Sequence, residues 1–186
     1  MTTDVIIVDQ PESGISRITM NRPEKRNSLI HTLRGAILDT LAANDQDPDV
    51  RVTIIRGAGT CFSAGYDLGG GNEGLERPFY TPGGDGSWPR HVTEGWMGIW
   101  DLAKPVIAQV HGYCIAGGNE IAGMCDIIYA ADDATFGQPQ GRALGIAITM
   151  GLWPIKMSLS KAKELLYTGD SITGMEAEDL GLVTRA

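Results

Sequence analysis

The spacing of apolar residues along the chain switches between strand-like and helix-like periods several times. Two short β-rich runs, "DVIIVDQ" and "ISRITMN", flank the turn sequence "PESG" and predict an opening β-hairpin. After the loop "NRPEKRN", Leu29, Leu33, Ile37 and Leu41 recur at helical spacing, which predicts an amphipathic helix capped by Asn27 or Ser28. A strand is expected at Val50 to Arg56, running directly into "CFSAGYDLGG", and strand, helix, strand in that order makes a crossover unit. Residues 69–90 hold seven glycines and three prolines without periodicity, the composition of a mobile functional loop and a candidate lid. Aromatic and apolar spacing from His91 to Leu102 predicts a helix stopped by Pro105, and "VIAQVHG" reads as a buried strand. "DIIYAA" is the next strand, and residues 147–167 read as helical segments interrupted at Pro154. In "TGMEAEDLGLV", Thr173 and Glu176 have capping-box spacing. The alternation throughout predicts an α/β fold in a single domain, residues 1–186.

Composition narrows the partners. Fifteen basic residues against 23 acidic ones give a net charge of −8, which repels a phosphate backbone and argues against nucleic acid. Cys61, Cys114 and Cys125 are odd in number and irregularly spaced, as expected of buried, reduced thiols in a cytoplasmic protein. The N-terminal "MTTDVIIVDQPESG" has an acid at Asp4 and an apolar run only from Val5 to Val8. It resembles neither a signal peptide nor a bilayer span, so no membrane partner is expected. His31, His91 and His111 lack metal-ligand spacing, and no metal is expected. At a strand end, His111 suits packing or a bracing hydrogen bond, whereas His91 stands beside the candidate lid.

The segment "GYCIAGGNEIAGMCD" breaks the local rules. Adjacent glycines at Gly117 and Gly118 cost a helix interior roughly 0.8–1.0 kcal/mol each, and Glu120 lies among apolar neighbours. Two uses fit the glycines: close packing of helix against strand, or presentation of the unpaired N–H groups at a helix start to a developing negative charge. "FSAGYDL", residues 62–68, is a second strand-to-loop turn, and two such turns can aim their amides at one oxygen.

Taken in order, "ITMNRPEKRNSL", "CFSAGYDL", "VIAQVHGYCIAGGNEIAGMCDI", "ATFGQPQ" and "KELLYTGDSITGMEAEDLGLV" resemble the crotonase superfamily, the enoyl-CoA hydratase/isomerase proteins, over nearly the whole chain. The resemblance implies a spiral of repeated ββα units and an acyl-CoA thioester substrate. It implies no cofactor beyond the coenzyme A of the substrate, and assembly as a homotrimer or hexamer where the family's C-terminal segment is present. It assigns the oxyanion-holding amides to Tyr66 and Gly117, the water-holding carboxylate to Glu120, and the CoA contacts to Lys25, Arg26, Ala64 and Leu68. Lys25 and Arg26 also suit plain solvated loop positions, and Asp67 suits bracing the loop as well as touching substrate. Hydratases of the family usually carry a second glutamate where this chain has Gln140, and an amide orients water but cannot deliver a proton. Hydration of an enoyl thioester is the leading expectation, with thioester hydrolysis, double-bond isomerisation and acyl-CoA binding without turnover as alternatives. Members of the family also continue past a "GLV" strand into further helices, so the resemblance implies either that a C-terminal helical segment is missing at Ala186 or that the assembly differs.

Overall fold

The computed structural model describes residues 4–69, 87–145, 148 and 150–186, with the backbone alone for 87–91. Within these residues, strands β1 (Ile6–Glu12) and β2 (Ile15–Met20) form the expected antiparallel hairpin. Helix α1 (His31–Gln46) crosses over to β3 (Val52–Gly57), which lies parallel to β2. Strands β4 (Val106–Val110) and β6 (Ile127–Ala130) continue the parallel sheet, giving the order β1-β2-β3-β4-β6. A smaller sheet is built from three-residue strands: β5 (Tyr113–Ile115) parallel to β7 (Thr135–Gly137), and β8 (Ser171–Thr173) antiparallel to β7.

The buried face of the large sheet follows from its register. Ile18, Ile55, Ala108 and Ile128 pair in one row across four strands and are at most 2% exposed. Leu33, Ile37 and Leu41 of α1, with Leu29 just before it, belong to the same core, so the helical stripe read from the sequence is the one that packs. Helices α2 (Ser87–Met97) and α3 (Gly117–Met124) pack on each other. Short helices α4 (Gln140–Leu144) and α5 (Trp153–Lys156) precede α6 (Leu159–Thr168) and α7 (Gly174–Asp179). The repeats β1-β2-α1, β4-β5-α3 and β6-β7-α4 are the ββα units that the resemblance implied.

Several expectations need correction. Neither Asn27 nor Ser28 caps α1, whose N-cap is Ile30 without a side-chain bond. Ser28 Oγ donates instead to Asp67 at 2.9 Å. Asn27 Nδ2 donates to the carbonyls of Ala58 and Cys61 at 2.9 Å each, while its Oδ1 accepts from Arg22 N–H at 3.0 Å. Ser87 to Arg90, assigned to a loop, form the first turn of α2, and that helix ends at Met97 rather than at Leu102. Pro154 is the second residue of α5 instead of interrupting a helix, as a residue without an N–H can be in a first turn. The "GLV" residues 181–183 form a turn that buries Leu182 and Val183, and pairing with β6 resumes only at Thr184 and Arg185. The Thr173–Glu176 capping box is present in full.

Asn27 is wholly buried at φ 52, where its short amide ties the loop before α1 to the turn after β3. Asn27→Ala should lower the unfolding free energy by about 3 kcal/mol, because three hydrogen bonds go and an alanine must hold a left-handed conformation. Urea unfolding measures this; a loss within about 0.5 kcal/mol of zero would show that the two loops are held by other contacts.

Candidate active site

The site is organised where β5 enters α3. Ala116, at φ 51, turns the chain from strand to helix. Its N–H donates to the Gly137 carbonyl at 2.9 Å. Asn119 Nδ2 donates to the same carbonyl at 2.8 Å and to that of Cys114 at 2.6 Å. These bonds pin the first turn of α3 between β5 and β7. As the first residue of the helix, Gly117 has an N–H without an intrahelical acceptor.

The glycines permit a close approach to the turn after β3. A Cβ on Gly117 would stand 2.8 and 2.9 Å from Cε2 and Cζ of Tyr66. One on Gly65 would stand 2.8 Å from the Ala116 Cβ and 3.2 Å from the Gly117 nitrogen. Close packing is therefore one real use of these glycines, and it sets the backbones of Gly65–Tyr66 and Ala116–Gly117 side by side.

Glu120 lies one turn into α3 and is fully buried. The Tyr66 phenol donates to its Oε2, and the Met150 N–H donates to Oε1 at 3.2 Å. Trp96 of α2, 1% exposed, donates its indole N–H to the Tyr66 oxygen at 3.0 Å. Burial pushes the Tyr66 phenol above its ordinary pKa, and the adjacent Glu120 charge pushes the same way, so the phenol keeps its proton. Sequence reasoning placed Glu120 and the Tyr66 backbone here but missed the Tyr66 side chain and Trp96. The available signal was a large aromatic with a polar tip in an otherwise small-residue turn, since such a hydroxyl needs a partner once buried.

Gln140 is 9% exposed at the start of α4. Its Nε2 donates to Gln138 Oε1 at 2.9 Å, and its own Oε1 is buried without a hydrogen-bond partner among the described residues. The Gly137 carbonyl that anchors Asn119 is three residues earlier, so this segment departs from beside the α3 start.

The residues assigned to CoA gather on one loop pair. Lys25 and Arg26 are exposed and form no ion pair with the described residues, and the Ala64 N–H donates to the Arg26 carbonyl at 3.0 Å. Leu68, on the same loop as Ala64, is 80% exposed. Asp67 is a brace: it accepts from the Gly69 N–H at 2.9 Å and from Ser28, and pairs with Arg22 at 3.1 Å. His111 Nε2 lies 3.0 Å from the Gly59 carbonyl, the bracing bond expected of it. His31 Nδ1 accepts from Arg34 at 3.3 Å, and burial lowers the pKa of its ring. The His91 side chain and residues 70–86 of the candidate lid lie outside the described residues. Among the described residues no cluster of His, Cys, Asp and Glu could hold a metal, and no helix is long and apolar enough to cross a membrane. All three cysteines are buried and unpaired by disulfides.

Comparison with known proteins adds a lineage to this geometry. The sequence profile of the family described as enoyl-CoA hydratase/isomerase matches residues 10–186. A probable mitochondrial enoyl-CoA hydratase of Dictyostelium discoideum is 34% identical over 179 residues, covering 95% of this chain and 61% of its own length. The chain thus spans about three fifths of that relative. The solved structure of an enoyl-CoA hydratase/isomerase from Xanthobacter autotrophicus Py2 superposes with a TM-score of 0.86 at 35% identity, covering 99% of this chain and 67% of that one. An enoyl-CoA hydratase structure from Mycobacterium smegmatis gives a TM-score of 0.85 at 32% identity, covering 98% and 65%.

The Asp67 brace has a pH signature. The Gly69 amide, then Ser28 and Arg22, hold its pKa below the ordinary carboxylate value, so its ionised form stabilises the fold. That contribution is present above about pH 4 and is lost as pH falls through the lowered value. In Asp67→Asn, the stability deficit relative to wild type should be largest near pH 6 and shrink toward pH 2 in urea titrations. Parallel pH profiles of the two proteins would show that the brace carries no charge-dependent stability.

Proposed function

The chain belongs to the enoyl-CoA hydratase/isomerase family, and on that footing we propose that it binds acyl-CoA thioesters and adds water across the double bond of a trans-2-enoyl-CoA. The carrying observation is Glu120: a fully buried carboxylate one helical turn beyond the Gly117 amide, which has no intrahelical acceptor, with each carboxylate oxygen held by a donor. In this reading the N–H groups of Tyr66 and Gly117 hold the thioester oxygen as charge develops on it, which favours attack at the β-carbon. Glu120 takes a proton from the attacking water. Gln140, whose buried Oε1 has an unused acceptor, orients that water without exchanging a proton.

Outside the reacting atoms, the exposed cations of Lys25 and Arg26 meet the phosphates of coenzyme A, and the backbone at Ala64 and the exposed Leu68 contact its organic part. No separate cofactor enters, because the thioester supplies the activating group. Isomerisation fits less well, since moving a double bond needs a carboxylate where Gln140 stands. A homotrimer or dimer of trimers is the assembly that accompanies this reading.

Turnover of a panel of trans-2-enoyl-CoA thioesters, with free CoA followed in parallel, tests it. Loss of the conjugated enoyl absorbance without CoA release is expected. Glu120→Gln should cut that rate by roughly 10²–10⁴-fold while binding changes by less than about threefold, because the carboxylate acts on the reacting atoms and not on the CoA handle. CoA release in step with substrate loss would replace hydratase by hydrolase. Tight binding with neither reaction would leave an acyl-CoA-binding protein.

A further inference from the structure

Replacing the second carboxylate by Gln140 leaves the reaction without a proton donor for the α-carbon. Among the described residues the phenol that donates to Glu120 fills that need by position. The Tyr66 ring lies against Gly117: a Cβ on that glycine would touch its Cζ and Cε2, the end of the ring that carries the hydroxyl. From there the hydroxyl reaches the Glu120 carboxylate. On the proposed reading, the thioester oxygen sits at the Gly117 amide and the water at Glu120 attacks the β-carbon. The carbon between those two is the α-carbon, and the phenol oxygen is carried on the ring end beside Gly117 and bonds to Glu120.

We infer that Tyr66 is the catalytic acid of this protein, protonating the α-carbon and recovering its proton from Glu120 through their shared hydrogen bond; this rests on the hydratase reading above. The protons and electrons balance. Glu120 accepts a proton from water as the water oxygen bonds to the β-carbon, and the π electrons of the double bond pass to the enolate held at the two amides. The phenol O–H then gives its proton to the α-carbon, the enolate returns to a thioester, and the phenolate takes the proton that Glu120 holds. Net, one water is added and both side chains end as they began.

The surroundings suit both halves of this cycle. The desolvated phenol keeps its proton until a base as strong as an enolate is formed, and the indole N–H of Trp96 donates to the same oxygen, so the transient phenolate is not left unpaired. The Met150 N–H holds the other Glu120 oxygen, which leaves the carboxylate oriented while Oε2 exchanges its proton. The family reading used only the main chain of Tyr66, so its side chain is the addition.

Two measurements separate this from a positioning role. Wild type should hydrate but-2-enoyl-CoA and should exchange an α-hydrogen of butyryl-CoA in deuterium oxide, a reading of proton transfer at that carbon alone. Tyr66→Phe, with thermal unfolding confirming the fold, should lose about 10²-fold or more in both rates with but-2-enoyl-CoA binding within about threefold of wild type. Should that variant fail to fold, fluorinated tyrosines placed at position 66 give the same answer, since rates that follow the acidity of the phenol support proton donation. Hydration and α-exchange that survive in folded Tyr66→Phe, or rates indifferent to fluorination, overturn the inference and leave the hydratase reading intact. Absence of hydration in wild type overturns that reading, and the inference with it.

Discussion

A carboxylate removed completely from water is the constraint around which this structure closes. Left unpaired, such a group costs several kcal/mol, so its oxygens must find donors wherever the chain can bring them. Glu120 draws those donors from distant segments: the turn after β3 supplies Tyr66, α2 supplies Trp96 behind it, and the stretch before α5 supplies the Met150 amide. Each segment is held in place by the large sheet or its core, so the burial of one charge ties the layers together.

The approach of these segments depends on small residues and on one strained one. Ala116 holds a left-handed φ where strand becomes helix, a conformation that an alanine adopts only when its neighbours impose it. The Gly137 carbonyl imposes it by accepting from both Ala116 and Asn119. Gly65, Gly117 and Gly118 then let the two turns meet: a Cβ on Gly118 would stand 2.7 Å from the Ser63 carbonyl. The same glycines that look expensive in a helix are what allow a partly buried tyrosine to lie across the helix start.

The loops in front of this site are tied to each other by main-chain bonds and by polar side chains. Asn27 satisfies the Ala58 and Cys61 carbonyls across the two loops, Asp67 accepts from the Ser28 side chain of the other loop, and Arg22 pairs with Asp67 while donating to the Ser28 carbonyl. Lys25 and Arg26 are thereby offered to solvent from a fixed backbone.

Local pattern was enough to read the hairpin, α1, the parallel strands and the capping box, because each repeats over several residues and carries its own turn or cap signal. It also exposed Gly117 and Glu120, through their conflict with an apolar helix. The three-residue strands β5, β7 and β8 were illegible, since a period of two cannot be recognised in three positions and their pairing is set by the larger sheet. The cap assigned to Asn27 or Ser28 failed for a related reason: a side chain that suits a helix end suits any nearby unpaired carbonyl or carboxylate, and the tertiary fold offered better ones. The meeting of Tyr66 with Glu120 joins residues 54 positions apart. No periodicity encodes such a contact, so the sequence determined the layers and the carboxylate at odds with its apolar helix, and only folding in three dimensions decided which phenol would face it.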